Sequence, residues 1–234
     1  MCWSSKAALA ELMGTFALVF AGCGAIMINQ VSGGTITHPG IALSFGFIVL
    51  ALIYTLGDIS GAHLNPAVTL NFWLAGRFEK SAVLPYITAQ VAGALLASLT
   101  LKFLFPSHPT LGATLPTGSP LQSFVLEFIM TWLLMLVILS VSTGAKEKGV
   151  TAGIAIGSVV ALEAMFGGPV SGASMNPARS LAPALISGNL QHLWVYLLAP
   201  SLGAALAILS CRLIREPGCC AGCCATPAST LPKN

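Results

Sequence analysis

Long apolar runs alternate with short polar ones along this chain. Runs long enough to span a bilayer lie at about residues 7 to 28, 40 to 57, 82 to 104, 121 to 142, 150 to 168 and 192 to 214. Each is close to the ~20 residues that one crossing needs, so six transmembrane helices are predicted. Two further apolar stretches, residues 66 to 75 and 177 to 187, are too short to cross, because ten helical residues cover about 15 Å, half the hydrocarbon thickness. Each predicts a half-helix. Asn is a favoured N-cap and Pro a favoured first helical residue, so Asn65-Pro66 and Asn176-Pro177 read as the two helix starts. The Gly-rich approaches, Gly57 to Gly61 and Gly167 to Gly172, predict irregular backbone at membrane depth, tolerable only where it lines a wet cavity or is buried in protein.

The pattern repeats. Ser60-Gly61-Ala62-His63-Leu64-Asn65-Pro66-Ala67 returns as Ser171-Gly172-Ala173-Ser174-Met175-Asn176-Pro177-Ala178, an offset of 111. Gly40-Ile41-Ala42 returns as Gly153-Ile154-Ala155, Tyr86 as Tyr196, Gly93-Ala94 as Gly203-Ala204 and Glu11 as Glu127, all at nearby offsets. This divides the chain into a first repeat (1–104), a connecting loop (105–120), a second repeat (121–215) and a Cys-rich tail (216–234). Each repeat holds three spans, an odd number, so the second enters the membrane from the opposite side and the repeats are inverted. Inversion brings the two Asn-Pro ends together at mid-membrane, flanking a pore.

Composition and charge narrow the function. The chain is 56% hydrophobic and 7% charged, with mean hydropathy +0.87, against about 25% charged residues in soluble domains. Six crossings consume about 120 of the 234 residues and leave no room for a sizeable soluble domain. Ten scattered Lys and Arg form no basic patch, so nucleic acid is not an expected partner. Lys6, Arg77, Lys80, Lys146, Lys148, Arg212, Arg215 and Lys233 fall on one side of the predicted topology, which puts both termini in the cytoplasm. Phe20-Ala21-Gly22-Cys23 resembles a lipoprotein cleavage site, but Glu11 interrupts the apolar segment and the repeat needs the first span as a helix.

Two helix N-termini aimed at the bilayer centre carry about half a positive charge each and repel cations. The Asn65 and Asn176 amides are expected to donate hydrogen bonds to a passing oxygen, orienting water so that a proton-hopping chain is broken. Neutral polar solutes pass and charge does not. An ion-coupled transporter also uses inverted repeats and broken helices, but the half-helix tips here carry amides rather than ion-binding carboxylates. An adhesion protein would need longer extracellular loops than 29 to 39 and 105 to 120.

With both Asn-Pro-Ala motifs, Ser-Gly-Ala-His-Leu before the first and Arg-Ser after the second, residues 7 to 215 resemble the aquaporin, or major intrinsic protein, family. The resemblance implies an all-α hourglass bundle of six transmembrane helices plus two half-helices. It also implies a homotetramer with one pore per subunit, a location in the plasma membrane and passive flow without cofactor or enzymatic activity. The central constriction falls on Asn65, Pro66, Ala67, Asn176, Pro177 and Ala178. A second, outer selectivity filter falls on Phe45, Ala164, Ala173 and Arg179. Strict water channels of the family look as though they carry His at position 164. Alanine there implies passage of glycerol, urea, or metalloid hydroxides such as arsenite and boric acid, with a strict water channel as the alternative. Ser180 stands where glycerol facilitators carry Asp, so the signature is mixed. Gly168 to Met175 and Tyr196-Leu197 look similar to nodulin-like intrinsic proteins and their bacterial relatives.

Glu11 and Glu127, acids within spans, are expected to accept hydrogen bonds from the loops before the half-helices, with His63 a further structural support there and Asp58 a cap or brace of the first loop. Glu163 adjoins Ala164 but, 100° round the helix, is expected to face a neighbouring helix or subunit. Cys219, Cys220, Cys223 and Cys224 form the one thiol cluster. It is a weak metal-site candidate for zinc or arsenic(III), with palmitoylation or no function as alternatives.

Overall fold

A computed structural model describes residues 4–142 and 146–214, the side chains of 146–150 apart. The Cys219, Cys220, Cys223 and Cys224 cluster lies outside the described residues. Eight helices account for the regular structure among them: α1 (Ser5–Val31), α2 (Thr37–Ser60), α3 (Pro66–Leu74), α4 (Lys80–Leu104), α5 (Pro120–Val141), α6 (Lys146–Ser171), α7 (Pro177–Ser187) and α8 (Leu193–Ile214). Six are long and apolar enough to cross a membrane. The two short ones, α3 and α7, begin at the Asn-Pro pairs as expected. Each has Asn at the N-cap in extended backbone and Pro in the first turn.

The second set of four helices repeats the contacts of the first. The pairs α1·α4, α1·α2 and α3·α4 return as α5·α8, α5·α6 and α7·α8, while α2·α6 and α3·α7 join the halves and α4·α7 mirrors α3·α8. Small residues set these spacings. A Cβ on Gly93 of α4 would sit 2.1 Å from the Leu12 carbonyl oxygen of α1, and one on Gly203 of α8 would sit 2.1 Å from the Phe128 oxygen of α5. Gly46 and Gly157 bring α2 and α6 into backbone contact in the same way. Without a hydrophobic driving force between spans, such close backbone packing is what holds membrane helices together.

Two boundaries differ from the sequence reading. Helices α2 and α6 run on through Gly57 and Gly167 to Ser60 and Ser171, so irregular backbone is confined to 61–65 and 172–176. Regular helix satisfies its own backbone hydrogen bonds, which favours it at membrane depth wherever nothing prevents it. Asp58 therefore sits within α2, exposed and lining the central cavity. The left-handed Gly61 (φ 84°) caps that helix instead.

Candidate functional site

The two short loops before α3 and α7 are built alike. Gly61 and Gly172 both have φ 84°, and Ala62, Leu64, Ala173 and Met175 also take left-handed backbone. That conformation costs non-glycine residues of order 1 kcal/mol or more each and persists only where surroundings over-determine it. Buried carboxylates do so here. Glu11 accepts from Ser60 Oγ (2.7 Å), His63 N (2.9 Å), Leu64 N (2.7 Å) and Gln90 Nε2 (2.7 Å). Glu127 accepts from Ser171 Oγ (2.7 Å), Ser174 N (2.8 Å) and Met175 N (2.8 Å). Tyr86 and Tyr196 donate to the Ser60 and Ser171 carbonyls at the helix ends just before. His63 bonds Thr69 Oγ1 through Nδ1 (3.1 Å), its ring packed among Phe72, Phe78 and Tyr86.

The Asn side chains do more than cap. Each Oδ1 accepts from its own helix, Asn65 from Ala67 N and Asn176 from Ala178 N and Arg179 N. Each Nδ2 spends one proton on the opposite loop, Asn65 on the Met175 carbonyl (2.7 Å) and Asn176 on the Leu64 carbonyl (2.8 Å). This reciprocal tie fixes the two helix starts tip to tip. It leaves one of the two protons on each amide for a solute.

Both Asn residues line a cavity of about 730 Å³ together with Phe45, Ala164, Ala173 and Arg179. Arg179 is 1% exposed. Its Nη1 donates to the Gly112 carbonyl (2.9 Å), its Cζ lies 5.1 Å from the Phe45 ring centroid, and its Nε and Nη2, both buried, have no partner among the described residues. The Phe45 ring in turn occupies the space a side chain at Gly22 would take. Cation–π contact and the carbonyl anchor together hold the guanidinium in place at the cavity wall.

Sequence reasoning did not foresee the part played by the connector 105–119. Its Gly112, with φ 70°, packs against Cys23 of α1, and its carbonyl fixes Arg179. Thr114 Oγ1 donates to Ser180 Oγ (2.7 Å), which also bonds Ser174 Oγ. Ser180, the mixed feature of the signature, is thus a link between connector and loop. Nothing in a Pro- and Gly-rich run signals which carbonyl will face an arginine sixty-seven residues away. Glu163 is fully buried within the chain, and neither of its carboxyl oxygens has a partner among the described residues.

Comparison with known proteins places this architecture. The profile described as Major intrinsic protein matches residues 2–210. Aquaporin NIP1-1 of Zea mays is 49% identical over 208 residues, 88% of this chain and 74% of that protein. Nodulin-26 of Glycine max is 48% identical over 88% of this chain and 77% of its own length. The crystal structure of the aquaglyceroporin from Plasmodium falciparum superposes with a TM-score of 0.79 at 25% identity, covering 87% of this chain and 93% of that one. With inverted halves, paired Asn-Pro helix starts and this match over most of its length, the chain belongs to the major intrinsic protein family.

Proposed function

We infer that this protein is a passive membrane channel for water and small neutral solutes. The observation that carries the inference is the cavity in which two half-helix starts meet beside Arg179. Macrodipoles and a fixed guanidinium oppose cations there, while the second proton of each Asn amide is offered to neutral oxygens. Asn65, Pro66 and Ala67 with Asn176, Pro177 and Ala178 form the central constriction, and Phe45, Ala164, Ala173 and Arg179 form the selectivity filter.

Small side chains on two of the four filter walls favour solutes larger than water. Within the glycerol, urea and metalloid-hydroxide class, arsenite is the sharpest discriminator. At neutral pH it is a compact uncharged trihydroxide able to exchange hydration bonds for Arg179 and the Asn amides. The family resemblance and the charge pattern support a homotetramer in the plasma membrane with both termini in the cytoplasm. Cross-linking in native membranes, and protease access to tags at each end, test these two points.

The decisive measurement of function is stopped-flow and uptake in proteoliposomes with water, urea, glycerol, boric acid and arsenite, alongside a proton-sensitive dye. Non-saturating flow of water and of at least one larger neutral solute, without proton current, is expected. Water flow alone would favour the strict water channel, and saturable flux that follows an ion gradient would replace the channel with a carrier.

A further inference from the structure

We propose that His38 is a positioning residue that sets the width of the outer constriction, by giving Met165 the hydrogen bond that Pro169 removes from α6. The proposal deepens the channel reading and rests on it. Pro169 lies inside α6, in its last turn. It has no N–H, so the carbonyl four residues earlier, that of Met165, loses its helical donor and is pushed aside by the ring. A carbonyl so freed is left to accept from a group outside its own helix. The ring of His38 supplies it from α2, with Nε2 2.6 Å from the Met165 oxygen. Space for the ring is provided at Gly168, where a Cβ would come within 2.8 Å of His38 Cε1.

The position of this bond gives it a consequence for the filter. Met165 follows Ala164 directly, and Phe45 lies seven residues beyond His38, two turns along the same face of α2. Beside the Gly46–Gly157 backbone contact, this hydrogen bond therefore joins the two helices that carry Phe45 and Ala164. Its base is firm, because Thr37 N donates to Asn29 Oδ1 (2.7 Å) and to the Gly34 carbonyl (3.0 Å), tying the start of α2 to the end of α1. On the other side of the kink, Thr117 of the connector donates to the Pro169 and Val170 carbonyls. The end of α6 is thus held by outside donors on both flanks, and His38 is the one on the α2 side. Releasing it lets α6 move away from α2 and widens the gap between Ala164 and Phe45.

The test uses the full chain in proteoliposomes and compares wild type, His38→Ala, His38→Gln, Pro169→Ala and the His38→Ala/Pro169→Ala double variant, with water, urea, glycerol and erythritol as probes. His38→Ala should raise the glycerol-to-water permeability ratio by up to about fivefold, the factor that the net free energy of one hydrogen bond represents. Gln offers an N–H donor at similar reach and should restore the wild-type ratio. Pro169→Ala returns the helical donor to Met165, so in that background removal of His38 should leave the ratio unchanged. A wild-type protein closed to glycerol would refute the wide-filter reading, and the latch would then be read from the appearance of glycerol flux in His38→Ala. An unchanged ratio in His38→Ala, or equal loss of both permeabilities with no rescue by Gln, would overturn the proposal, as would a full effect persisting beside Pro169→Ala.

Discussion

Removing Glu127 should unseat the second half-helix, and the size of the effect follows from what its carboxylate holds. Glu127→Ala takes the acceptor from three donors. Ser171 Oγ has the Gly167 carbonyl within reach (3.5 Å) as a substitute, whereas the Ser174 and Met175 N–H groups, both in buried residues, have none. At about 1–3 kcal/mol for each orphaned buried group, the loss is about 2–6 kcal/mol, a large share of the ~5–15 kcal/mol that typically separates folded from unfolded protein. Glu127→Gln keeps one oxygen, so Ser171 and Ser174 retain their acceptor while an NH2 faces the Met175 N–H. Its loss should be about 1–3 kcal/mol. Thermal unfolding of detergent-purified protein, read by size exclusion, should rank wild type above Gln and Gln above Ala. Water permeability of reconstituted Glu127→Ala should fall, because Ala173 and Arg179 ride on the loop and helix that the carboxylate positions. Wild-type melting and permeability in Glu127→Ala would refute the anchoring role. Equal losses for Gln and Ala would show that charge, rather than the number of acceptors, does the holding.

Three further outcomes are expected. Ala164→His should abolish glycerol and arsenite flux while sparing water, because an imidazole fills the cavity wall opposite Phe45 and beside Arg179; uptake assays check this, and unchanged solute flux would place the constriction elsewhere. Glu163→Leu should leave thermal stability unchanged or raise it by about 1–3 kcal/mol, since a fully buried carboxyl with no partner among the described residues is replaced by an apolar side chain; a clear loss in melting temperature would reveal a partner that the side chain serves. His108 Nδ1 accepts from the Thr110 and Leu111 N–H groups, and burial, reinforced by the Lys102 charge, holds the imidazole below its ordinary 6.5. The released connector then binds protons more readily than the docked one, so docking should weaken as pH falls through about 6.5. Hydrogen exchange of connector peptides measures this, and His108→Asn, which keeps an acceptor that does not titrate, should remove the pH dependence.

How much of this was legible in the chain depends on the range of the interaction. The six spans, the half-helices and their inverted repetition were written in hydropathy and in the doubled Asn-Pro-Ala run, because bilayer thickness and backbone hydrogen bonding in lipid leave few other solutions for such a pattern. Glu11 and Glu127 were legible as loop supports, since an acid inside an apolar span has to find donors. The Gly57 and Gly167 approaches were misread as loop because glycine is permissive in isolation, while helix is favoured once lipid removes the competing water.

Tertiary structure alone decided the rest. Which carbonyl each Asn amide meets, Met175 for Asn65 and Leu64 for Asn176, depends on two segments more than a hundred residues apart meeting tip to tip. Packing of distant segments likewise sets the Gly112 carbonyl against Arg179 and His38 on the carbonyl that Pro169 frees. A pattern along the chain reports the solvent each residue prefers, whereas a pore is defined by distances across the chain, and those distances exist only after the helices have packed.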